Sequence, residues 1–393
     1  MKIALITRRY PPLIGGAEKV LSYLAPALAG EGAEVTVLTA QPAGLDLPEI
    51  ETYTPSTRGQ EPSASAGQLT IVRLNTVRVR FVGTWLYMRN LRRWLATHEV
   101  DLAYVSMLKH DAFVALGEGR RLGFPVVLRP EGAGATGDLA WQSWGRFGRV
   151  IAARCKLADA VVSIAPAITD ELTRAGYDRS RIHPLPNGVP VPEPPWQRRA
   201  GWRDEPRAVF VGRLAPEKGL DVLIDAWPHV VAAFPKARLT LIGEGPERPS
   251  LEARAARLGL GGAIELPGAT DDPTGRLRAA DLFVLPSREE GMSIALLEAM
   301  ALGLPLVATS IPGNRRLVHD FKNGRLVPPG DPAALARTVI DQWSGFDRAF
   351  HMSRAARRRV QDEFSIQAVA RRHLELFRTL VGAPRAEARA RRS

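Results

Sequence analysis

The chain alternates short apolar runs with longer stretches of helical periodicity, and it does so twice. In the first half the runs are Lys2 to Thr7, Glu34 to Thr39, Leu69 to Leu74, Leu102 to Ser106, Val126 to Leu128, Ala160 to Ile164 and Ile182 to Leu185. They are rich in Val, Ile and Leu, as strands buried on both faces require. Helical patterns separate them, most clearly at Ala17 to Gly30 and Val82 to Thr97. The second half restarts with strands at Ala208 to Gly212, Arg238 to Gly243 and Ala263 to Leu266, and helices at Gly219 to Phe234 and Arg248 to Leu258. Leu282 to Leu285, Leu306 to Thr309 and Arg325 to Val327 continue the strands. Asp331-Pro332 opens another helix, with Asp as cap and Pro at the first position. Two Arg-rich helices follow, over about 347–362 and 366–381. This alternation predicts an α/β protein with two doubly wound, Rossmann-like parallel-sheet domains.

The expected boundaries follow from composition. The proline-rich stretch VPVPEPPWQRRAGWRDEP, Val189 to Pro206, reads as a linker. That gives a first domain over 1–190, a linker over 191–206 and a second domain over 207–365. Residues 366–393 are expected to form a helix crossing back to the first domain, and a basic tail. Gln41 to Gln68, rich in Pro, Ser, Thr and Gly, reads as a long mobile loop. Parallel sheets bind ligands beyond the carboxyl ends of their strands. Two such sheets facing each other place a ligand in a central cleft.

The chemistry concentrates in Asp281 to Thr309, DLFVLPSREEGMSIALLEAMALGLPLVAT. A strand, a turn holding Glu290 and Gly291, a helix starting near Ser293 and carrying Glu298, and Gly303 as its stop can be read off directly. Free backbone N–H groups at a helix start favour an anion or sugar hydroxyls, and a carboxylate beside them accepts from hydroxyls. The pattern suits a ligand that is part phosphate and part sugar; it is equally that of a βαβ unit with two surface acids. In FVGRLAPEKGLDVLIDAW, Arg213 and Lys218 sit in a loop bounded by Gly212 and Gly219. Two fixed cations before a helix suit a diphosphate, although a solvated turn has the same composition. The GxxxxGK[ST] pattern of a P-loop is missing, as is GxGxxG at the first helix. Gly15-Gly16 can still bring backbone N–H groups close to a phosphate.

Charge and cysteine content narrow the setting. The net charge is +12, and the stretch from Arg348 to the end holds 12 Arg against 4 acids. Nucleic acid or an anionic membrane could use that excess, as could plain solvent. No nucleic-acid signature accompanies it, so no nucleic-acid partner is expected. Val82 to Thr97, with Trp85, Leu86, Met88, Leu91, Trp94 and Leu95 beside Arg89, Arg92 and Arg93, either faces a core or lies on a membrane surface. One cysteine, Cys155, excludes an internal disulfide. The N-terminal apolar run is too short for a signal peptide, and no run nears the ~20 residues of a membrane span. The expected location is cytoplasmic, with peripheral contact at the inner face of an anionic membrane as a further possibility.

GRLAPEKG, EEGMSIALLEAMALGLPLVAT and NGRLVPPGD together resemble the retaining glycosyltransferases of the GT-B fold, the large family 4 group. YPPLIGGAEKVLSYLAPALAGEGAEVTVLT and IAPAITDEL…RIHPLPNGV extend the resemblance across nearly the whole chain. It implies a hexosyltransferase moving a sugar from a nucleoside-diphosphate donor to an acceptor hydroxyl on a carbohydrate or lipid-linked acceptor. Such activity belongs to glycan, exopolysaccharide or glycolipid biosynthesis. Arg213 and Lys218 would bind the diphosphate. Glu290 would meet the donor sugar beside the N–H groups of Gly291, Met292 and Ser293, and Glu298 the ribose. Gly15, Gly16, Gly212 and Asn187 would complete the donor site. No DxD-type motif offers a metal site, and two cations with helix dipoles can do a metal's electrostatic work, so no metal and no cofactor are expected. Front-face attack is implied, with the leaving phosphate taking the acceptor's proton. A nucleotide-sugar epimerase and a non-catalytic nucleotide-sugar binder of the same fold are the alternatives.

Two departures matter. Many members carry a His just after the strand read as Val126 to Leu128; here the run is FPVVLRPEGAGATGD, with Glu131 nearest that position and Arg129 beside it. These two, and His110 in SMLKHDAF, are the acceptor-side candidates, Glu131 with a catalytic role. Arg316 stands where an acid is common. Trp141 and Trp144 either stack on a sugar or lipid or only pack.

Overall fold

The computed structural model describes the chain apart from residues 13–14, 43, 55–65, 133, 135–136 and 383–393. It divides into two compact units, Met1–Gly188 together with the segment from Ile366, and Val189–Ser365.

The first unit runs β1 (Lys2–Ile6), α1 (Gly16–Gly30), β2 (Glu34–Ala40), β3 (Ile50–Tyr53), β4 (Leu69–Leu74), α2 (Arg80–Thr97), β5 (Leu102–Ser106), α3 (His110–Leu122), β6 (Val126–Arg129), α4 (Asp138–Trp144), α5 (Gly148–Cys155), β7 (Ala160–Ser163), α6 (Pro166–Arg174) and β8 (Ile182–Pro184). Its eight strands lie in the order β3-β4-β2-β1-β5-β6-β7-β8. All pairs are parallel except β3 with β4. β3 corrects the reading of Gln41 to Gln68 as loop throughout. It is an edge strand with mostly exposed side chains, so it has no apolar run to announce it. Residues 55–65 of that stretch lie outside the described residues.

The second unit runs β9 (Arg207–Val211), α7 (Leu220–Ala233), β10 (Arg238–Ile242), α8 (Arg248–Arg257), β11 (Ile264–Gly268), α9 (Pro273–Arg278), β12 (Leu282–Leu285), α10 (Ile294–Leu302), β13 (Leu306–Thr309), α11 (Pro312–Leu317), β14 (Arg325–Val327), α12 (Pro332–Ser344) and α13 (Phe346–Arg359). A π-helical turn over Val360–Phe364 precedes α14 (Ile366–Gly382), which belongs to the first unit. The six-stranded sheet, β11-β10-β9-β12-β13-β14, is parallel throughout. The proline-rich stretch read as a linker is packed onto this unit. The Trp196 indole N–H donates to the Ala280 carbonyl at 2.8 Å, and the Trp202 ring packs at a tilt 4.3 Å from that of Phe346. Both tryptophans are buried. Prolines deny the stretch a strand ladder, but they do not stop two indoles from burying apolar surface.

Each sheet is covered on both faces, which explains the unbroken apolar runs. In the first unit one face packs Tyr87, Leu91, Ala115 and Ile151 against the sheet; the other packs Leu21, Leu24, Leu28 and, from α14, Ala370, Leu374 and Phe377. α14 also buries His373. Its Nε2 lies 3.2 Å from the Tyr104 hydroxyl and its Nδ1 2.8 Å from the Val369 carbonyl. A neutral ring protonated on Nδ1 satisfies both contacts. Burial, offset in part by the Val369 carbonyl and reinforced by Arg129, pushes the His373 pKa down to about 4.

That shift has a sign. Unfolded, the ring protonates near pH 6.5; folded, it stays neutral to about pH 4. Above pH 6.5 the group is neutral in both states and costs nothing. Between 6.5 and 4 the unfolded chain binds the extra proton, so stability falls with pH, by up to about 3 kcal/mol. Denaturant unfolding at a series of pH values should show this acid loss in the wild type and a flatter limb in His373→Gln. Parallel curves for the two proteins would contradict the assignment.

Candidate functional site

In the second unit β9 is the first strand in sequence and sits mid-sheet. β10 and β11 build away from it on one side, and β12, β13 and β14 on the other. The winding reverses between β9 and β12, and the loops leaving the carboxyl ends of those two strands diverge there, as at other ligand-binding switch points. One loop carries Gly212, Arg213 and a 3-10 turn over Pro216–Lys218; the other carries Ser287 to Ser293.

The two loops are locked together. The Arg288 N–H donates to the Glu217 carbonyl at 2.8 Å, and its guanidinium reaches the Pro216 carbonyl at 2.8 Å and Asp221 at 2.7 Å. Gly219, at φ 63°, turns the first loop into α7; a Cβ there would sit 2.4 Å from the Pro286 carbonyl oxygen. Across this junction Lys218 Nζ meets Glu290 Oε1 at 2.6 Å, and the Ser287 hydroxyl donates to the same oxygen at 2.9 Å. A line of hydrogen bonds runs inward from there. Thr309 Oγ1 donates to the Ser287 carbonyl at 2.5 Å, and the Asn314 amide donates to the Thr309 carbonyl at 3.0 Å. Gly313 abuts the same turn; a Cβ on it would fall 2.3 Å from the Glu290 carbonyl. Ser293 caps α10, its hydroxyl accepting from the Leu296 N–H at 3.3 Å. Met292 and Ser293 are buried, Glu298 is half-buried on the helix, and space is open around Gly291. Arg213 is exposed. The arrangement can offer cations and helix-start N–H groups to an anion, and a fixed carboxylate to hydroxyls.

In the first unit the winding reverses between β1 and β5. Gly15 is the N-cap of α1 and Gly16 its first residue, in the loop leaving β1. The loops leaving β5 and β6 are joined by the buried Asp138, which accepts from the Leu108 N–H at 3.1 Å and the Glu131 N–H at 2.8 Å. Burial raises its pKa against those two bonds. Arg129, 2% exposed, gives one nitrogen to Glu131 Oε1 and another to Asn187 Oδ1 at 2.6 Å. The Ser106 hydroxyl donates to the same Glu131 oxygen at 2.5 Å. Burial works against the Arg129 charge, but Glu131, Tyr104 and Asp138 together outweigh it and the guanidinium pKa is raised. His110 begins α3 and packs edge-on against Trp141 at 5.4 Å. Its pKa is lowered by burial and by Arg8 and Lys109. Next to it, Asp111 is buried 3.4 Å from the Tyr87 hydroxyl, and burial lifts its pKa to about 6 despite Arg8.

Two family models match the sequence. The one described as "Glycosyl transferase 4-like domain" matches residues 15–188, and the one described as "Glycosyl transferases group 1" matches residues 205–344. The chain belongs to the group 1 glycosyltransferases. Among the relatives of this glycosyltransferase are glycogen synthase of Mycobacterium tuberculosis, 28% identical over 94% of this chain and 92% of that one. Phosphatidyl-myo-inositol mannosyltransferase of Mycolicibacterium smegmatis is 27% identical over 98% and 95%. Sucrose-phosphate synthase from Thermosynechococcus elongatus matches in structure with a TM-score of 0.77 at 22% identity, over 97% of this chain and 99% of that one. Anabaena HepE, in complex with UDP and glucose, matches with a TM-score of 0.75 at 19% identity, over 97% and 100%. The fold is GT-B, two Rossmann-like parallel-sheet domains.

The site residues predicted for this glycosyltransferase thus form two groups. One, on the second unit, gathers Lys218, Glu290, Gly291 and the start of α10; the other, on the first, gathers Arg129, Glu131 and Asn187. Sequence reading passed over Ser287, Asn314 and Asp138, which position the others. Trp85, read with the apolar stripe of its helix, is exposed. Among the described residues no helix is long and apolar enough to cross a membrane, and no group of three His, Cys, Asp or Glu is placed to hold a metal ion.

Glu131→Ala strands a buried guanidinium, which should cost about 3–5 kcal/mol in urea unfolding. Replacing both partners, Arg129→Met with Glu131→Leu, should restore most of it. A single variant within a few tenths of wild type would remove Glu131 as the counter-charge.

Proposed function

We propose that this enzyme transfers a hexosyl unit from a nucleoside-diphosphate sugar to an acceptor hydroxyl, with retention of anomeric configuration and without a metal, as family 4 enzymes of this fold do. The acceptor is a carbohydrate or a lipid-linked glycan. The observation that carries the reading is Lys218 at 2.6 Å from Glu290 at the switch point, with the capped start of α10 beside them. Breaking the bond from the anomeric carbon to the phosphate oxygen puts negative charge on the leaving diphosphate. The Lys218 ammonium, the exposed Arg213 and a helix N-terminus then stabilise charge that is larger in the transition state than in the ground state. That is the work a metal would otherwise do.

Glu290 suits the sugar, since its two protein donors fix the carboxylate in place to accept from hydroxyls. Those same donors draw charge from it, which makes it a poor nucleophile. Front-face attack therefore fits better than a glycosyl-enzyme intermediate, with the leaving phosphate accepting the acceptor's proton. Glu298, on the next turn of α10, is assigned to the ribose. Gly15, Gly16 and Gly212 are assigned to the diphosphate and Asn187 to the donor. Glu131 and His110 are assigned to the acceptor side, with the buried Arg129 behind Glu131 as its counter-charge.

Lys218→Ala and Glu290→Gln should each lower kcat/KM by about 10²–10³, and Glu298→Ala should act mainly on the donor KM. EDTA should leave turnover unchanged. Nucleoside diphosphate should appear only when acceptor is present, and the anomeric proton of the product should report the donor's configuration. Interconversion of the nucleotide sugar without acceptor would make the protein an epimerase. Near-full activity in Lys218→Ala would remove the site.

A further inference from the structure

One face of the first unit carries apolar side chains where solvent should meet polar ones. α2 is two-sided. Tyr87, Leu91 and Leu95, four apart, are fully buried. The other side opens with Phe81, Val82 and Trp85 at 58%, 51% and 60% exposure and continues into Arg89, which lies over the Trp85 ring at 5.6 Å. Val77 and Val79 in the preceding loop are exposed as well. The outer face of a solvated helix is ordinarily polar, and burial against the sheet does not account for this one.

The corner between α4 and α5 adds to the same face. Arg146 spans the two, 4.6 Å from the Phe81 ring and 5.2 Å from the Phe147 ring. Trp144, Phe147 and Val150 are 73%, 63% and 57% exposed. Phe147 holds φ at 62°, a left-handed conformation that a bulky residue seldom adopts, with its ring in solvent. Segments 75–98 and 139–158 together hold nine Lys or Arg and no Asp or Glu. Arg92 is paired with Glu118 and Arg154 stacks on Phe113, while Arg78 and Arg149 are exposed.

We propose that this face docks on the surface of an anionic lipid bilayer, with Phe81, Trp85, Trp144 and Phe147 at the headgroup–acyl boundary and Arg78, Arg89, Arg146 and Arg149 on lipid phosphates. Apolar residues give depth and arginines give attraction to anionic lipid, and both are required for stable interfacial binding. A second copy of the chain fits less well, because pairing the face with itself sets arginine against arginine. Single-stranded nucleic acid would use the four exposed rings and the arginines, but Val77, Val79, Val82 and Val150, exposed among them, have nothing to pair with on a nucleic acid. The exposed aliphatics favour lipid.

The test is co-sedimentation of the full chain, without any sugar donor, with vesicles of phosphatidylcholine alone or mixed with phosphatidylglycerol. Its outcome is therefore independent of the transfer chemistry. The protein should bind the anionic vesicles, and less so at high salt. The triple variant Phe81→Ser, Trp85→Ser, Phe147→Ser should bind about tenfold more weakly, with an unchanged unfolding midpoint. Arg89→Gln with Arg146→Gln provides a second route should the triple variant fold poorly. Absence of binding, or binding that both variants leave intact, overturns the proposal. So does binding lost only on deleting the basic tail 383–393. A dimer seen by light scattering that the triple variant dissolves assigns the face to a second copy. Displacement from vesicles by poly-dT, weakened by the triple variant, assigns it to nucleic acid.

Discussion

A parallel sheet has to bury both faces, and this constraint fixes where the protein can do chemistry. Helices cover the two sides of each sheet, so strand residues such as Leu102 to Ser106 are buried along the whole strand. Polar side chains can gather only where strands end. At most strand ends the next helix turns back over the sheet and covers the edge. Where the winding reverses, at β9/β12 and at β1/β5, two loops part in opposite directions and leave side chains facing one another. Lys218 and Glu290 come from 72 residues apart to meet at one such point. The rest of the second unit is what holds those two strand ends in register.

Local features were legible in the sequence and distant ones were not. Ser293 as cap, Gly303 as stop at φ 83° and Asp331 capping α12 each depend on neighbours within four residues, and the letters carry them. The apolar runs marked every buried strand. β3 was missed because an exposed edge strand earns its place by pairing with β4, not by apolar content. α9 and α11, six residues each with Pro at the start, are too short to show periodicity. The two tryptophans of the proline-rich stretch were hidden by the company they keep.

The site was legible in residue type more than in role. Lys218 and Glu290 are singled out by the sequence for a phosphate and a sugar; that each is also the other's partner is a tertiary fact. Ser287 and Asn314 gave no signal, because a serine in a turn and an asparagine after Pro-Gly are ordinary. Arg129, an acceptor-side candidate in the sequence, is 2% exposed and bound to Glu131 and Asn187, a burial that no local pattern announces.

The two carboxylate–cation pairs differ in what they can do. Lys218 has 19% of its side chain exposed and a flexible stem, so its ammonium can swing toward a phosphate while staying near Glu290. The carboxylate is not stranded when it does, since Ser287 still donates to it and incoming sugar hydroxyls can replace what the ammonium withdraws. On the proposed reading, the pair compensates both charges and is able to release them to a donor together. Arg129 has no such freedom. Its guanidinium is held rigidly by two partners inside the unit, and removing Glu131 leaves a buried charge unpaired. Where both units offer a cation beside a glutamate, burial decides that one pair has room to rearrange and the other has to stay made.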